Sequence, residues 1–134
     1  MELKRENYSS KAPLEDILGY SRMVKTGPFI YIGGTTSVQP DGSVYGEESA
    51  YEQAKYVFGK FEKLLVQAGA TLKDVIKVKV YTTDMAYSKE IGEAYAEFFK
   101  EVRPLFTMVG TPMLKRPVQK VEIEMEAILT GKEG

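Results

Sequence analysis

The chain has 134 residues, 43% of them hydrophobic, with a formal net charge of −1 and neither His nor Cys. A chain of this length buries a core without disulfides, so we expect a single domain over residues 1–134. Without Cys and His there are no thiol nucleophiles, imidazole triads or zinc sites built from them, and we expect no metal or other cofactor. The near-neutral charge argues against nucleic-acid binding, and no apolar run is long enough to span a membrane. We therefore expect a cytoplasmic protein without nucleic-acid or membrane partners.

The N-terminal third predicts a lead-in followed by a hairpin. Residues 1–18 mix Ser, Pro and charged side chains and predict an extended lead-in. Residues 20–25 and 29–33 predict two strands, since the Thr-Gly-Pro turn between them suits a hairpin. The paired Gly33 and Gly34 indicate a bulge or a close backbone approach at the end of the second strand.

Two amphipathic helices and a strand follow. Ser49 and Glu52 fit a capping box, apolar residues recur at helical spacing up to residue 68, and Gly69 ends this helix. A second helix begins after residue 84 and runs to about residue 102. The strand between them, residues 73–82, is predicted to place alternate residues on two faces: Ile76, Val78, Val80 and Thr82 on one, and Val75, Lys77, Lys79 and Tyr81 on the other.

Pro104 ends the second helix, and the uncharged run 105–109 predicts a strand in a sheet interior. A last strand spans residues 119–129, and residues 130–134 form a short tail. In this strand the odd positions are apolar, whereas Glu122, Glu124 and Glu126 share the other face.

This element order predicts an α+β fold, with a mixed sheet and both helices on one of its faces. The glutamates on the other face either pair with lysines of a neighbouring strand or lie under another copy of the chain. We expect a homo-oligomer.

Several short motifs, in order, resemble one known family over residues 10–129. They are Ala12-Pro13, Gly19-Tyr20-Ser21, Ile32-Gly33-Gly34, Gln53, residues 67–75, residues 95–99, Pro104 and residues 122–128. Together they resemble the RidA family, also called YjgF or L-PSP. The resemblance implies a chorismate-mutase-like fold with a six-stranded mixed sheet and two helices on one face. It also implies a homotrimeric barrel with a small-molecule ligand in clefts between subunits.

The resemblance further implies hydrolysis of reactive imines and enamines to carbonyl compounds and ammonia. In such enzymes an Arg in the strand after the second helix binds the substrate carboxylate, and that position here is Phe106. Losing such a charge-assisted pair costs about 2–5 kcal/mol of binding. Gly33 and Gly92 also stand where the family often has Ser and Asn. Tyr20 and Gly34 match the family's cleft positions, and Glu124 matches the Glu that positions water.

Other residues are candidates for ligand binding. Arg22 shares the strand face of Tyr20 and either replaces the missing cation or forms an ordinary ion pair. Arg103, at the helix end, either contacts a ligand or pairs with the last helical carbonyls. Phe106 and Met108 are expected to line an apolar cleft wall, with Thr107 turned towards the helices or, through its backbone, orienting the substrate.

Three functions stay open. The first is a hydrolase or deaminase of imine or enamine intermediates, with Glu124 and Tyr20 as catalytic residues and altered specificity. The second is a ligand-binding or regulatory trimer without catalysis, which Phe106 favours. The third, a ribonuclease, is the least supported because the chain lacks His and a basic stripe.

Overall fold

The structure is a computed structural model that describes residues 2–130, so Met1 and residues 131–134 of the expected tail lie outside the described part. Its strands are β1 (Arg5–Tyr8), β2 (Met23–Thr26), β3 (Phe29–Thr35), β4 (Val75–Thr82), β5 (Leu105–Gly110) and β6 (Val121–Ile128). Its helices are α1 (Pro13–Leu18), α2 (Ala50–Gln67) and α3 (Ser88–Phe99), with short 3-10 turns at Leu72–Asp74 and Met85–Tyr87. Within residues 2–130, no helix combines the length and apolar character needed to cross a membrane.

The six strands form one mixed sheet in the order β1-β2-β3-β6-β4-β5. Only β4 and β5 pair in parallel, and the other neighbours are antiparallel. The connection through α2 therefore passes over β6, whereas the connection through α3 joins adjacent strands. The sheet is mixed and the fold is α+β, as the element order predicts.

The core lies between the two long helices and one face of the sheet. Phe58 and Phe61 of α2 and Phe99 of α3 are fully buried, together with Val78 and Ile123 from the sheet. Burial of each such side chain contributes about 1.5–3 kcal/mol, which fixes the helices on this face. The hydroxyl of Ser49 accepts a hydrogen bond from the Glu52 amide and begins α2, as predicted. The other half of the expected capping box is not formed, because the Ser49 amide donates to the Gly46 carbonyl and not to the Glu52 side chain.

A buried side-chain amide links α2 to the segments that precede α2 and β6. The Gln53 side chain is fully buried. Its Nε2 donates to the carbonyls of Gly46 and Val118, at 3.1 and 2.9 Å, and its Oε1 accepts from the Lys120 amide at 2.8 Å. Because Lys120 directly precedes β6, this amide helps to set where β6 begins.

The N-terminal prediction is wrong in three places. The strand expected over residues 20–25 is β2 (Met23–Thr26), so Tyr20 and Arg22 precede it and do not share a strand face. Residues 5–8 form β1, which pairs with β2, and residues 13–18 form a short helix instead of an extended lead-in. Pro13 opens α1, two acidic residues follow in its first turn, and Gly19 ends it in the left-handed region at φ 84°. Residues 2–130 therefore contain three α-helices where two were expected.

Two strand predictions also change. A register shift between Val75 and Lys77 buries Val75 and exposes Ile76, the reverse of simple alternation. The strand expected inside a sheet, β5, is instead the edge strand, and Leu105 is 69% exposed. An uncharged run cannot distinguish a sheet interior from an edge that another molecule covers.

Replacing Gln53 should destabilise the fold sharply. In Gln53→Leu the two carbonyls and the amide that it satisfies lose their partner, and each such buried group costs about 1–3 kcal/mol. We expect the free energy of unfolding, measured by urea titration, to fall by about 3 kcal/mol. Gln67→Leu, at the exposed end of α2, is the control and should change it little. Equal stability of the two variants would contradict the bridging role of Gln53.

Candidate active site

The face of the sheet opposite the helices is open and mostly polar. Its central strand is β6, whose residues alternate between buried and half-buried. In register, Glu124 lies opposite Lys79, Glu122 opposite Tyr81, and Glu126 between Tyr31 and Lys77. A Lys therefore lies opposite two of the three glutamates, as expected from the sequence, but among the described residues neither Lys77 nor Lys79 forms an ion pair with them.

An open groove of about 330 Å³ lies at one end of this face. Its wall consists of residues from β3, β4 and β6 and from the loop after β5. They are Gly34, Tyr81, Thr111, Leu114, Glu122 and Glu124. The groove has the size of a small-molecule site, and no cationic side chain is among the six residues of its wall.

Glu124 is held in a fixed orientation. The Tyr81 hydroxyl donates to its Oε2 at 3.0 Å, and the Lys79 ammonium lies 5.1 Å from the centre of the Tyr81 ring. Tyr81 and Glu124 come from adjacent strands, so the rigid sheet sets their separation. A carboxylate with one oxygen occupied and its remaining lone pairs facing a groove can accept a proton from bound water.

Glu122 lies against Gly34, at the back of the groove. A Cβ on residue 34 would come within 2.0 Å of the Glu122 Oε2, so only glycine allows this carboxyl to pack there. Burial raises the pKa of Glu122, and the neighbouring charge of Glu124 raises it further, whereas Arg22 opposes the shift. The two glutamates of the groove therefore have different surroundings.

Arg22 reaches the groove wall but is already engaged. Its Nη1 donates to the Gly34 carbonyl at 2.5 Å, and its Nε lies 3.3 Å from the Ser10 hydroxyl and 4.0 Å from the Glu15 carboxylate. Glu15 is buried and accepts from both the amide and the hydroxyl of Ser10. Arg22 was expected either to replace the missing cation or to form an ordinary ion pair, and the structure shows the ion pair.

The other predicted residues divide between the two ends of the sheet. Tyr20 is 40% exposed and stacks with Arg22, whose guanidinium carbon is 5.6 Å from the ring centre, so it belongs to the groove end. Arg103 follows the turn after α3, in the left-handed region at φ 60°, and lies just before β5. The nearest level of the groove is that of Glu124, which is in register with Lys79 and so with Thr107. Four extended residues span about 13 Å, which is longer than an Arg side chain, so within one chain Arg103 does not reach the groove.

The faces of β5 are the reverse of the expected ones. Phe106 and Met108 are in register with the buried Val78 and Val80, which places them on the helix face. The Phe106 ring lies 4.2 Å from that of Tyr95 in α3. Thr107, in register with Lys79, is on the open face. The expectation that Thr107 faces the helices is wrong because the pairing with β4, which the sequence does not show, sets the faces.

Four residues of the groove wall are not among those predicted from the sequence: Tyr81, Glu122, Thr111 and Leu114. The alternation in β4 and β6 already indicated that Tyr81 and the glutamates lie on one sheet face. Which Glu meets which partner depends on register, and the loop residues depend on where β5 ends. No sequence motif indicates either the strand register or the residue at which β5 ends.

The close contact at Gly34 can be tested by adding one methyl group. In Gly34→Ala the Glu122 carboxyl must move towards water, so we expect its pKa to fall towards the ordinary value for Glu. A ¹³C NMR titration of the side-chain carboxyls measures this pKa. In the control Gly33→Ala the nearest atom, the Arg22 carbonyl oxygen, would be 3.7 Å from the new Cβ. A Glu122 pKa that Gly34→Ala leaves unchanged would contradict the contact.

Comparisons with known proteins agree with this fold. A profile of the family described as Endoribonuclease L-PSP matches residues 10–129. A RutC family protein of Pyrococcus abyssi is 36% identical over 121 residues, which are 90% of this chain and 92% of that protein.

A more distant relative, Reactive Intermediate Deaminase A of Arabidopsis thaliana chloroplasts, is 24% identical over 96% of this chain and 67% of its own. Among solved structures, a member of the YjgF/YER057c/UK114 family from Mycobacterium tuberculosis superposes with a TM-score of 0.85 at 35% identity, covering 94% of this chain and all of that one. The profile match and these relatives span nearly the whole chain, which therefore belongs to the RidA family, also called YjgF or L-PSP.

Proposed function

We propose that the protein is a homotrimeric hydrolase of small imines or enamines, which it converts to carbonyl compounds and ammonia. The observation that carries the proposal is the Glu124 carboxylate, held by the Tyr81 hydroxyl at 3.0 Å on the wall of an open groove. Membership of the RidA family and the name of the Arabidopsis relative support this class of reaction.

The proposed chemistry needs a base, a bound water and a positioned substrate. Glu124 takes a proton from water as the water oxygen attacks the imine carbon. Gly34 leaves room for the Glu122 carboxyl at the back of the groove, and Tyr20 lies beside the same wall through its contact with Arg22. Fixing these groups on paired strands lowers the entropic cost of bringing water and imine together.

None of the six described residues that form the groove wall is cationic, which affects which substrates fit. Phe106 packs on Tyr95, and Arg22 is bound to Gly34 and Glu15. The same arrangement favours a second candidate, a trimer that binds a metabolite without turning it over. Saturable thermal stabilisation by members of a metabolite panel, with no ammonia released, would favour this candidate.

Assembly is the other part of the proposal. The open face carries exposed apolar side chains at both edges of its charged centre, among them Tyr31 (50%), Leu105 (69%) and Val109 (37%). Apolar groups on a sheet face that no helix covers are typical of an interface between subunits. A second copy of the chain would also close the groove, which in one chain is open to solvent, and would bring Arg103 and β5 of a neighbour within reach.

Activity should depend on Glu124. We expect wild-type protein to release ammonia from enzymatically generated imines faster than buffer alone. Glu124→Gln should lower kcat/KM by about 100-fold or more, because the base is lost while the amide keeps the shape. Glu126→Gln, two residues along the same face but outside the groove, is the control. A coupled ammonia assay with both carboxylate-bearing and carboxylate-free imines measures the rates; no rate above buffer with any of them would reject the hydrolase.

The trimer can be tested without a substrate. By light scattering we expect a particle of three times the chain mass at micromolar concentration. Tyr31→Asp places a charge in the proposed interface and should shift the particle towards the monomer. Val66→Asp, at an apolar residue of α2 that is also exposed (64%), should leave the mass unchanged. A monomeric wild-type protein would exclude the assembly.

A further inference from the structure

We propose that Glu122 is a second catalytic carboxyl group, which gives a proton to the imine nitrogen while Glu124 takes one from water. The inference rests on the proposed hydrolase function and adds to it a named acid. It is carried by the geometry of β6 and by the packing of Glu122 on Gly34.

The two carboxyls flank one space. Glu122 and Glu124 are two residues apart on β6, point to the same face and both line the groove. Residues at this spacing lie about 7 Å apart along a strand. That separation accommodates a water molecule and a C=N bond between the two side chains, so the nitrogen can meet one carboxyl while the carbon meets water held by the other.

The two side chains have different contacts. Glu124 accepts a hydrogen bond from the Tyr81 hydroxyl. Glu122 lies against the backbone at Gly34, partly removed from water, with its register partner Tyr81 and the charge of Glu124 beside it. Arg22 is the cation facing Glu122, but its guanidinium is also bound to the Gly34 carbonyl and Glu15.

These surroundings divide the acid and base roles. Burial and the Glu124 charge raise the pKa of Glu122, and Arg22 offsets this only in part. A pair of carboxyls whose environments differ in this way is the usual arrangement for one acid and one base in a single site. Gly34 is then needed for catalysis and not only for space, because any larger residue displaces the acid.

The proposed cycle balances without another reactant. Water attacks the imine carbon, its proton goes to Glu124, the C=N electron pair moves to nitrogen, and the Glu122 proton joins it. This gives a carbinolamine, a protonated Glu124 and an ionised Glu122. Glu124 then protonates the nitrogen, the C–N bond breaks with its electron pair leaving on ammonia, and the hydroxyl proton returns to Glu122 as the carbonyl forms.

The test is the pH dependence of imine hydrolysis in three variants. In wild type, kcat/KM should fall as pH rises through the pKa of Glu122, because the acid must be protonated. Glu122→Gln should lower kcat/KM by about 100-fold and remove this alkaline limb. Glu122→Asp, which keeps a proton donor, should recover part of the rate, and Glu126→Gln should match wild type in both rate and profile.

The outcomes distinguish a failure of the acid role of Glu122 from a failure of the proposed hydrolase function. A wild type that hydrolyses imines while Glu122→Gln keeps its rate and its alkaline limb would overturn the role of Glu122 alone. A wild type inactive on every imine would overturn both proposals. If Glu122→Gln fails to assemble, as judged by light scattering and circular dichroism, Gly34→Ala takes its place. This variant should move the alkaline limb to lower pH, and an unmoved limb would overturn the proposal.

Discussion

The position of β6 in the middle of the sheet is the constraint on which both the core and the groove depend. Its odd residues, such as Ile123, are buried under the helices, and its even residues point to the open face. A shift of one residue in its pairing would place three glutamates in the core and the apolar row in water. Burial of the apolar face of β6 therefore also fixes which carboxyls meet Tyr81 and Gly34 on the open face.

The contact between Gly34 and Glu122 connects this sheet to the N-terminal segment. Arg22 binds the Gly34 carbonyl and also contacts the Ser10 hydroxyl and the carboxylate of Glu15 in α1. A register shift between Ile32 and Thr35 lets the backbone at Gly34 approach β6 closely. The short helix that the sequence did not predict thus supports the residue that orders the back of the groove.

Most of the fold was predictable because its signals are local. The cap at Ser49, the helical periodicity of α2 and the alternation of β6 each depend on neighbours in sequence, and the structure confirms them. The errors concern facts set by partners distant in sequence: the bulge at Val75, the edge position of β5 and the direction in which Phe106 points. The predicted roles of Tyr20, Arg22, Arg103 and Glu124 remain predictions, although the structure shows which of them lie together.

Phe106 lies on the helix face of β5 and not on the open face. It packs against Tyr95 on the helix side, so a carboxylate clamp at this position is replaced by an apolar contact that anchors the edge strand to α3. The groove wall then offers two carboxyls, two hydroxyls and a leucine. In the hydrolase proposed above, these two carboxyls would disfavour an anionic ligand at the groove of a single chain. Within one chain, imines without a carboxylate would therefore meet the least electrostatic repulsion at this wall.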